Sequence, residues 1–186
     1  MKWIGNRVSY EDHKDFLTMI ISSKTDHWKM LVMLIWFLIW LSCGLVIFYF
    51  LFFTQEIQDQ KNYFYTFLVF WTYFLYKVIR VLIWRRFGIE FIRIDEDKFS
   101  VKKSLWGYGK SKEFITNNVE KIKLAPLEEK SFSKVFNDSF WIIGQGTIII
   151  KSLDIEYNFG SQISKENGSK IIKILNSKIN KMKSAS

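Results

Sequence analysis

Two long apolar stretches occupy much of the first half of the chain. Residues 30–53 contain no charged side chain. As a helix rising about 1.5 Å per residue, such a stretch is longer than the hydrocarbon core of a bilayer, about 30 Å. Residues 63–84 form a second stretch of sufficient length. The pattern predicts a transmembrane helical hairpin over residues 28–86, with these two stretches as its spans.

The second span contains two charges, Lys77 and Arg80. Both lie within about two helical turns of Arg85 and Arg86, so their long stems could carry the charges to the interface. Because the two residues are three positions apart, they also share a helix face, which could instead face a pore or a second copy of the chain. The sequence leaves both interpretations open.

Basic residues set the expected orientation of the hairpin. Residues 54–62 between the spans contain one lysine and two acids, whereas lysines and arginines lie before the first span and at the end of the second. By the positive-inside rule, we expect both termini to be cytoplasmic in a bacterial cytoplasmic membrane protein.

The N-terminal segment, residues 1–27, is polar with an apolar patch at positions 16–21. Ser9 could cap a short helix, with Asp12 three residues further on. We expect this segment to be cytoplasmic and to lie along the inner membrane face or against the C-terminal domain.

After Gly88 the helical period is lost and β-branched residues predominate. Between the second and third predicted strands, Gly107 and Gly109 permit the positive φ of a tight hairpin. A final helix over about 165–183, capped by Ser164, has one apolar face. About seven antiparallel strands followed by this helix, over residues 87–186, predict a pleckstrin-homology-like domain. The predicted strands are 89–94, 98–104, 111–116, 119–125, 139–144, 146–152 and 154–159.

The formal net charge is +9. In a membrane protein such a balance indicates attraction to anionic lipid, and we expect no nucleic acid polymer as partner. The single cysteine, Cys43, lies within the first apolar stretch and allows neither a disulfide framework nor a thiolate metal site.

Most of the chain resembles a known family, with the most specific residues in its second half. The run GIEFIRIDEDKFSVKKSLWGYGKSKEFITNNVEKIKL, followed by Trp141, GQGTIIIKSLDIEYNFG and the terminal helix, resembles uncharacterised small bacterial membrane proteins with two spans and a pleckstrin-homology-like domain. The resemblance covers roughly residues 30–180 and implies a fold, but no chemistry. Members of that family have a glycine in the last hairpin, where this chain has Leu153 and Asp154. A fainter similarity, in length, span placement and GQG, is to the photosystem I assembly factor.

Sequence motifs for catalysis are weak throughout. His13 and His27 have no further metal ligands at fixed spacing, and GYGKSK lacks the first glycine of a phosphate loop. No nucleophile elbow is present. We therefore expect a protein that is not an enzyme and that uses no metal or cofactor.

Three lysines flank the second hairpin and are candidates for binding an anionic ligand or lipid, namely Lys103, Lys110 and Lys112. In a lysine-rich chain they could equally be ordinary hairpin residues. In the first span, the small residues Ser42 and Gly44 are candidates for close helix packing.

These features lead to two functional hypotheses. The first is a non-enzymatic membrane protein whose cytoplasmic domain docks a partner protein or an anionic lipid surface, in a scaffold or assembly role. The second is a ligand-gated effector, in which the β-domain binds a small anionic signal such as a cyclic nucleotide and the oligomerised spans permeabilise the membrane. The expected partners are membrane lipid and either another membrane protein or further copies of the chain, as a homo-oligomer.

Overall fold

A computed structural model describes most of the chain, namely residues 1–53, 60–125, 139, 141–144, 146–153 and 155–184. These residues form two units. One unit combines Met1–Lys24 with Arg86–Ser186, and the other is Thr25–Arg85. The N-terminal segment and the C-terminal domain are therefore parts of the same folded unit, although 61 residues separate them in the sequence.

The N-terminal segment is a β-structure, and the predicted short helix after Ser9 is wrong. Its strands are β1 (Lys2–Ile4), β2 (Val8–Asp12) and β3 (Leu17–Ser22). In β3 every second residue, beginning with Leu17, is buried, which is the period of a strand. Ile20 lies on the opposite face of this strand, and its presence between Met19 and Ile21 gave the misleading impression of a helical apolar patch.

Strand β3 pairs with the first strand of the C-terminal domain. The second part of this sheet consists of β4 (Gly88–Ile94), β5 (Lys98–Leu105) and β6 (Ser111–Ile115). Six antiparallel strands follow one another in the order β1 to β6. The two long helices are thus inserted between adjacent strands, β3 and β4.

A second antiparallel sheet contains β7 (Val119–Leu124), β8 (Ile148–Ser152) and β9 (Ile155–Phe159). The prediction of a strand at 139–144 is wrong for its described residues, which form turns and irregular backbone; Phe140 lies outside the described part. The segment 126–138 and Asp154 also lie outside it. At the turn after β8, Leu153 adopts a φ of 52° without the glycine of the resembling family.

The C-terminal helix, α3, has the predicted bounds, Lys165–Lys183, and the Ser164 side chain caps it by accepting a hydrogen bond from the Asn167 amide. Its apolar face packs into the interior of the unit through Ile171, Leu175, Ile179 and Met182. Ile172, beside Ile171 in the sequence, is only partly buried. Residues from both sheets share this core.

The other unit contains α1 (His27–Phe53) and the larger part of α2 (Lys61–Phe87). Both are long and apolar enough to cross a membrane, and the predicted spans lie within them. Most of their large apolar side chains are exposed. The chain is thus an α+β protein with two long apolar helices, antiparallel sheets and a C-terminal helix.

Candidate functional site

The chain leaves and re-enters the six-stranded sheet at one edge. Beyond the end of β3, the backbone N–H and the hydroxyl of Ser23 both donate to the carbonyl of Gly88, at 3.1 and 2.6 Å. Gly88 directly follows the last residue of α2. We call this the connection edge, comprising residues 5–7, 22–24, 86–88 and 105–110.

The tight turn between β5 and β6 lies at the connection edge, because Gly88 pairs with Leu105. Leu105 and Tyr108 exchange backbone hydrogen bonds of 2.8 and 3.0 Å, which leaves Trp106 and Gly107 as the two central residues. Both have positive φ, 50° and 86°, as a type I′ turn requires. Gly109 is needed for close approach, because a Cβ there would lie 2.0 Å from the carbonyl oxygen of Lys103. The predicted glycine hairpin is confirmed.

Three aromatic side chains project at this turn. Trp106 is 63% exposed, Tyr108 is 84% exposed and Phe87 is 46% exposed. The rings of Phe87 and Trp106 lie 5.1 Å apart between centroids. An exposed aromatic cluster of this kind is unusual on a surface that faces only water.

Charge is distributed unevenly between the two edges of the six-stranded sheet. Among its described residues, the connection edge and the strand ends next to it carry several basic residues and one acid, the buried Glu90. The basic residues are Arg7, Lys24, Arg86, Lys103 and Lys110. The opposite edge has more acids than bases. Its turns and strand ends contain the acids Glu11, Asp12, Asp15, Asp95, Glu96, Asp97 and Glu113 and the bases Lys14, Arg93 and Lys98.

The three candidate lysines have different surroundings. The pairing of Lys102 with Ser111 and of Leu105 with Tyr108 places Lys103 opposite Lys110. Lys112 lies opposite Val101, further from the turn. Lys103 is half-buried beside Glu90, with 4.0 Å between Nζ and Oε1. Within the described chain, Lys110 and Lys112 are exposed and form no ion pair.

Two further basic residues support the edge and were not singled out from the sequence. The ammonium of Lys102 donates to the carbonyl of Gly107 at 2.8 Å and so steadies the turn. The guanidinium of Arg7 donates to the carbonyls of Ser22 and Gln162, each at 2.9 Å. The role of Arg7 becomes visible only in the fold, because Gln162 is far away in the sequence, whereas Lys102 bonds to a residue five positions further on.

Glu90 is a buried carboxylate that joins the two sheets. It accepts hydrogen bonds from the backbone N–H of Gly160 at 2.5 Å and from the hydroxyl of Ser161 at 3.2 Å. The pKa of Tyr157 is raised, first by its partial burial and second by the negative charge of Glu90. We assign Glu90 a structural role because its oxygens are occupied by the chain itself.

A basic groove lies between the first strands and α3. It has a volume of about 310 Å³, and the residues lining it include Lys2, Tyr10, Lys173, Ser177 and Lys181. Asp12 and Lys178 also line the groove and form an ion pair, with 2.6 Å between the carboxylate and the ammonium. The groove could not be predicted from the sequence, because it forms only when the N-terminal strands meet the C-terminal helix.

Gly44 packs α1 closely against α2. A Cβ at this position would lie 1.9 Å from the ring of Trp71. The indole N–H of Trp71 donates to the carbonyl of Trp40 at 2.8 Å, and that of Trp40 donates to the carbonyl of Trp71 at 3.4 Å. Gly44 thus lies at a helix contact, whereas Ser42 is exposed and its hydroxyl donates to a carbonyl of its own helix.

Lys77 and Arg80 are both exposed on α2. The Lys77 ammonium lies 5.4 Å from the centre of the Tyr73 ring, a favourable cation–π distance. Neither residue is buried against α1, so the helix face that they share is exposed.

Within the described residues, no cluster of three or more histidine, cysteine, aspartate or glutamate side chains could hold a metal ion. No protein-family model matches the sequence, and no similar chain is found among curated proteins.

Proposed function

We propose that this is a non-enzymatic integral membrane protein of the bacterial cytoplasmic membrane. Its two spans would hold a cytoplasmic pleckstrin-homology-like domain against the anionic leaflet, where it docks a partner protein or the lipid surface in a scaffold or assembly role. The observation that carries the proposal is the coincidence of two features. Both connections to the apolar helices leave one edge of the sheet, and this edge is basic.

The exposed apolar surface of α1 and α2 supports membrane insertion. Leucine, isoleucine and phenylalanine side chains there have about half of their surface exposed, as in Leu38, Ile39 and Phe48. Full burial of such a side chain is favourable by about 1.5–3 kcal/mol, so many exposed together would make a water-soluble form unstable. Lipid is the solvent that removes this cost.

The strand arrangement supports a pleckstrin-homology-like domain. Strands β3 to β6 form four consecutive antiparallel strands, β7 to β9 form the second sheet, and α3 packs on the shared core. In this interpretation the first strand of the domain is β3, so the two spans interrupt the domain, and β1 and β2 extend its first sheet.

The charge distribution supports the cytoplasmic orientation. Each basic residue close to an anionic membrane surface contributes about 1 kcal/mol of attraction. The connection edge would gain this attraction, whereas the acidic opposite edge would be repelled. Membrane attachment also raises the effective concentration of the domain for any partner in the same membrane.

A topology experiment tests the proposal. In a Cys43→Ser background, a single cysteine at Asn62→Cys reports on the connection between the helices, and one at Glu96→Cys reports on the opposite edge. We expect an impermeant maleimide to label Asn62→Cys in intact spheroplasts and Glu96→Cys only after lysis. Labelling of Glu96→Cys in intact spheroplasts, or recovery of the protein in the soluble fraction, would contradict the proposal.

A separate experiment tests the scaffold role. The intact protein is purified repeatedly from native membranes, and we expect one companion protein to co-purify with it each time.

The basic groove favours a second candidate function, the ligand-gated effector. Its lysines surround a volume of about 310 Å³, in which a small phosphate-bearing molecule could bind. Residues 88–186 alone are unsuitable for this test, because they lack β1 to β3 and several core residues. If this function is correct, at least one nucleotide of a panel should raise the melting temperature of the full-length protein in detergent. The double variant Lys173→Gln/Lys181→Gln should abolish that shift. An unchanged melting temperature across the panel would count against this function.

A further inference from the structure

The turn between β5 and β6 combines exposure, aromatic character and positive charge at one point. Trp106 and Tyr108 are exposed, Phe87 contacts Trp106, and Lys110 follows without an ion pair in the described chain. Trp and Tyr prefer the interface between lipid and water, and lysine binds anionic headgroups there. Each of these features fits the interface between lipid and water.

The position of the turn along the chain specifies that environment. Phe87 is the last residue of α2, and Gly88, the next residue, pairs with Leu105 at the base of the turn. Trp106 is therefore fixed beside the residue at which the apolar helix ends. If α2 spans the membrane, its last residue lies at the interface, and the turn must lie close to the same surface.

Backbone conformation shows that Trp106 is an unfavourable choice for folding alone. The first central residue of a type I′ turn has positive φ, which asparagine and glycine adopt readily and bulky residues do not. Trp106 adopts a φ of 50° here and remains mostly exposed, so its ring gains little burial in return. A residue that weakens a turn and projects outward indicates a role in contact with something else.

We propose that this turn inserts Trp106 and Tyr108 into the headgroup region of the anionic leaflet, with Lys110 bound to lipid phosphate. The turn is thereby a third membrane attachment, beside the two spans, and it fixes the orientation of the β-domain on the membrane. The inference rests on the proposed function, because it needs α2 to be a span. A second copy of the chain is a poorer occupant of this surface, since two connection edges would bring like charges together.

Depth-dependent quenching tests the inference in the full-length protein. A single cysteine at Tyr108→Cys, in the Cys43→Ser background, is labelled with an environment-sensitive fluorophore, and the protein is reconstituted into vesicles containing phosphatidylglycerol. We expect strong quenching by lipids with a headgroup nitroxide and protection from aqueous iodide. The matched control is Glu96→Cys at the opposite edge, where we expect the reverse.

The variant Trp106→Asn separates membrane contact from folding. It creates an Asn-Gly pair, the preferred sequence for this turn, so the melting temperature should stay equal or rise. The label at position 108 should nevertheless become accessible to iodide. Lys110→Gln should lower the ratio of inserted to free turn about fivefold in anionic vesicles and leave it unchanged in zwitterionic ones.

The outcomes distinguish this inference from the proposed function. If the protein floats with the vesicles but the labels at 108 and 96 are equally accessible to iodide, the inference is wrong and the membrane anchor stands. If the protein does not float with the vesicles, the proposed function itself fails. A label at 108 that stays protected in Trp106→Asn would assign the protection to packing within the domain and overturn the inference.

Discussion

The two units use apolar side chains in opposite ways. In the β-domain, the core isoleucine and phenylalanine side chains of both sheets are fully buried, and most charged side chains lie outside. In the helical unit, residues of the same types point outward, and the few buried ones include Met33, Gly44 and Leu51. One chain thus contains one unit with an apolar inside and another with an apolar outside. This is the distribution expected when two units fold in two different solvents.

Polar side chains complete the contrast. Within the described β-domain, buried Glu90 and Lys178 are held by hydrogen bonds and ion pairs that span distant parts of the sequence. In the helical unit, Lys77 and Arg80 are exposed beside apolar surfaces, and Arg85, at its end, is buried. The difference indicates that the two units depend on different interactions, and the following substitutions measure it.

The largest effect is expected from removing the same kind of side chain in each unit. Ile92→Ala leaves a cavity at a site with 0% exposure in the β-domain and should lower the free energy of unfolding by about 2–5 kcal/mol. Leu38→Ala changes a side chain that is 53% exposed on α1 and should cost far less. Urea titration of the detergent-solubilised protein, followed by circular dichroism, measures both. Equal losses would mean that Leu38 packs against protein.

The helical unit should be sensitive where its helices touch. Gly44→Ala forces the Trp71 ring away from α1 and should cost about 1–3 kcal/mol, because the added methyl overpacks the contact. Ser42→Ala, two residues away on an exposed site, is the matched control and should change little. Thermal unfolding in detergent or nanodiscs distinguishes them. Tolerance of Gly44→Ala would show that the helices separate easily.

A buried polar group in the β-domain should matter more than an exposed one. Glu90→Gln weakens the bonds from Gly160 and Ser161 and should lower the free energy of unfolding by about 1–3 kcal/mol. Glu113→Gln removes a carboxylate whose ion pair with Lys98 is on the surface, and should have little effect. Chemical denaturation of both variants provides the comparison, and similar losses would contradict the structural role of Glu90.

The smallest expected effect is a loss of stability at alkaline pH, and it comes from Tyr157. Its pKa in the folded state is raised by burial and by Glu90, so the unfolded state releases its proton at lower pH. The resulting loss of stability should begin as the pH rises through about 10, the ordinary tyrosine value, and should be complete above the raised pKa. Melting temperatures measured against pH for wild type and Tyr157→Phe should diverge only in this alkaline range. Parallel curves would mean that Tyr157 is solvated.

The local elements were largely predictable from the sequence. Four predicted strands were confirmed to within a residue or two at their ends, namely 89–94, 98–104, 111–116 and 119–125. The final helix has the predicted bounds. Their alternation, glycine turns and Ser164 cap are local signals. The N-terminal strands were not predicted, because three consecutive apolar residues, Met19, Ile20 and Ile21, hide the alternation of a strand. Their stabilising partner, β4, follows only after both long helices.

The candidate site was predictable only in part. The spacing around the glycines singles out Lys103 and Lys110 as candidates, and the structure places them opposite each other. The sequence did not reveal the exposed Trp106, the partners of Arg7 or the basic groove. A side chain's exposure and its distant contacts depend on how strands pair, and no local pattern records that.

The sequence by itself determined the two apolar stretches and the β-rich segment after Gly88, because hydrophobicity and side-chain period act over a few residues. Only the tertiary structure decided that the N-terminal strands complete the sheet and that the chain leaves and returns at one basic edge. Strand pairing across the two helices brings residues such as Ser23 and Gly88 together. These contacts form only when the separated segments fold as one unit, so no stretch of the chain contains enough information to specify them.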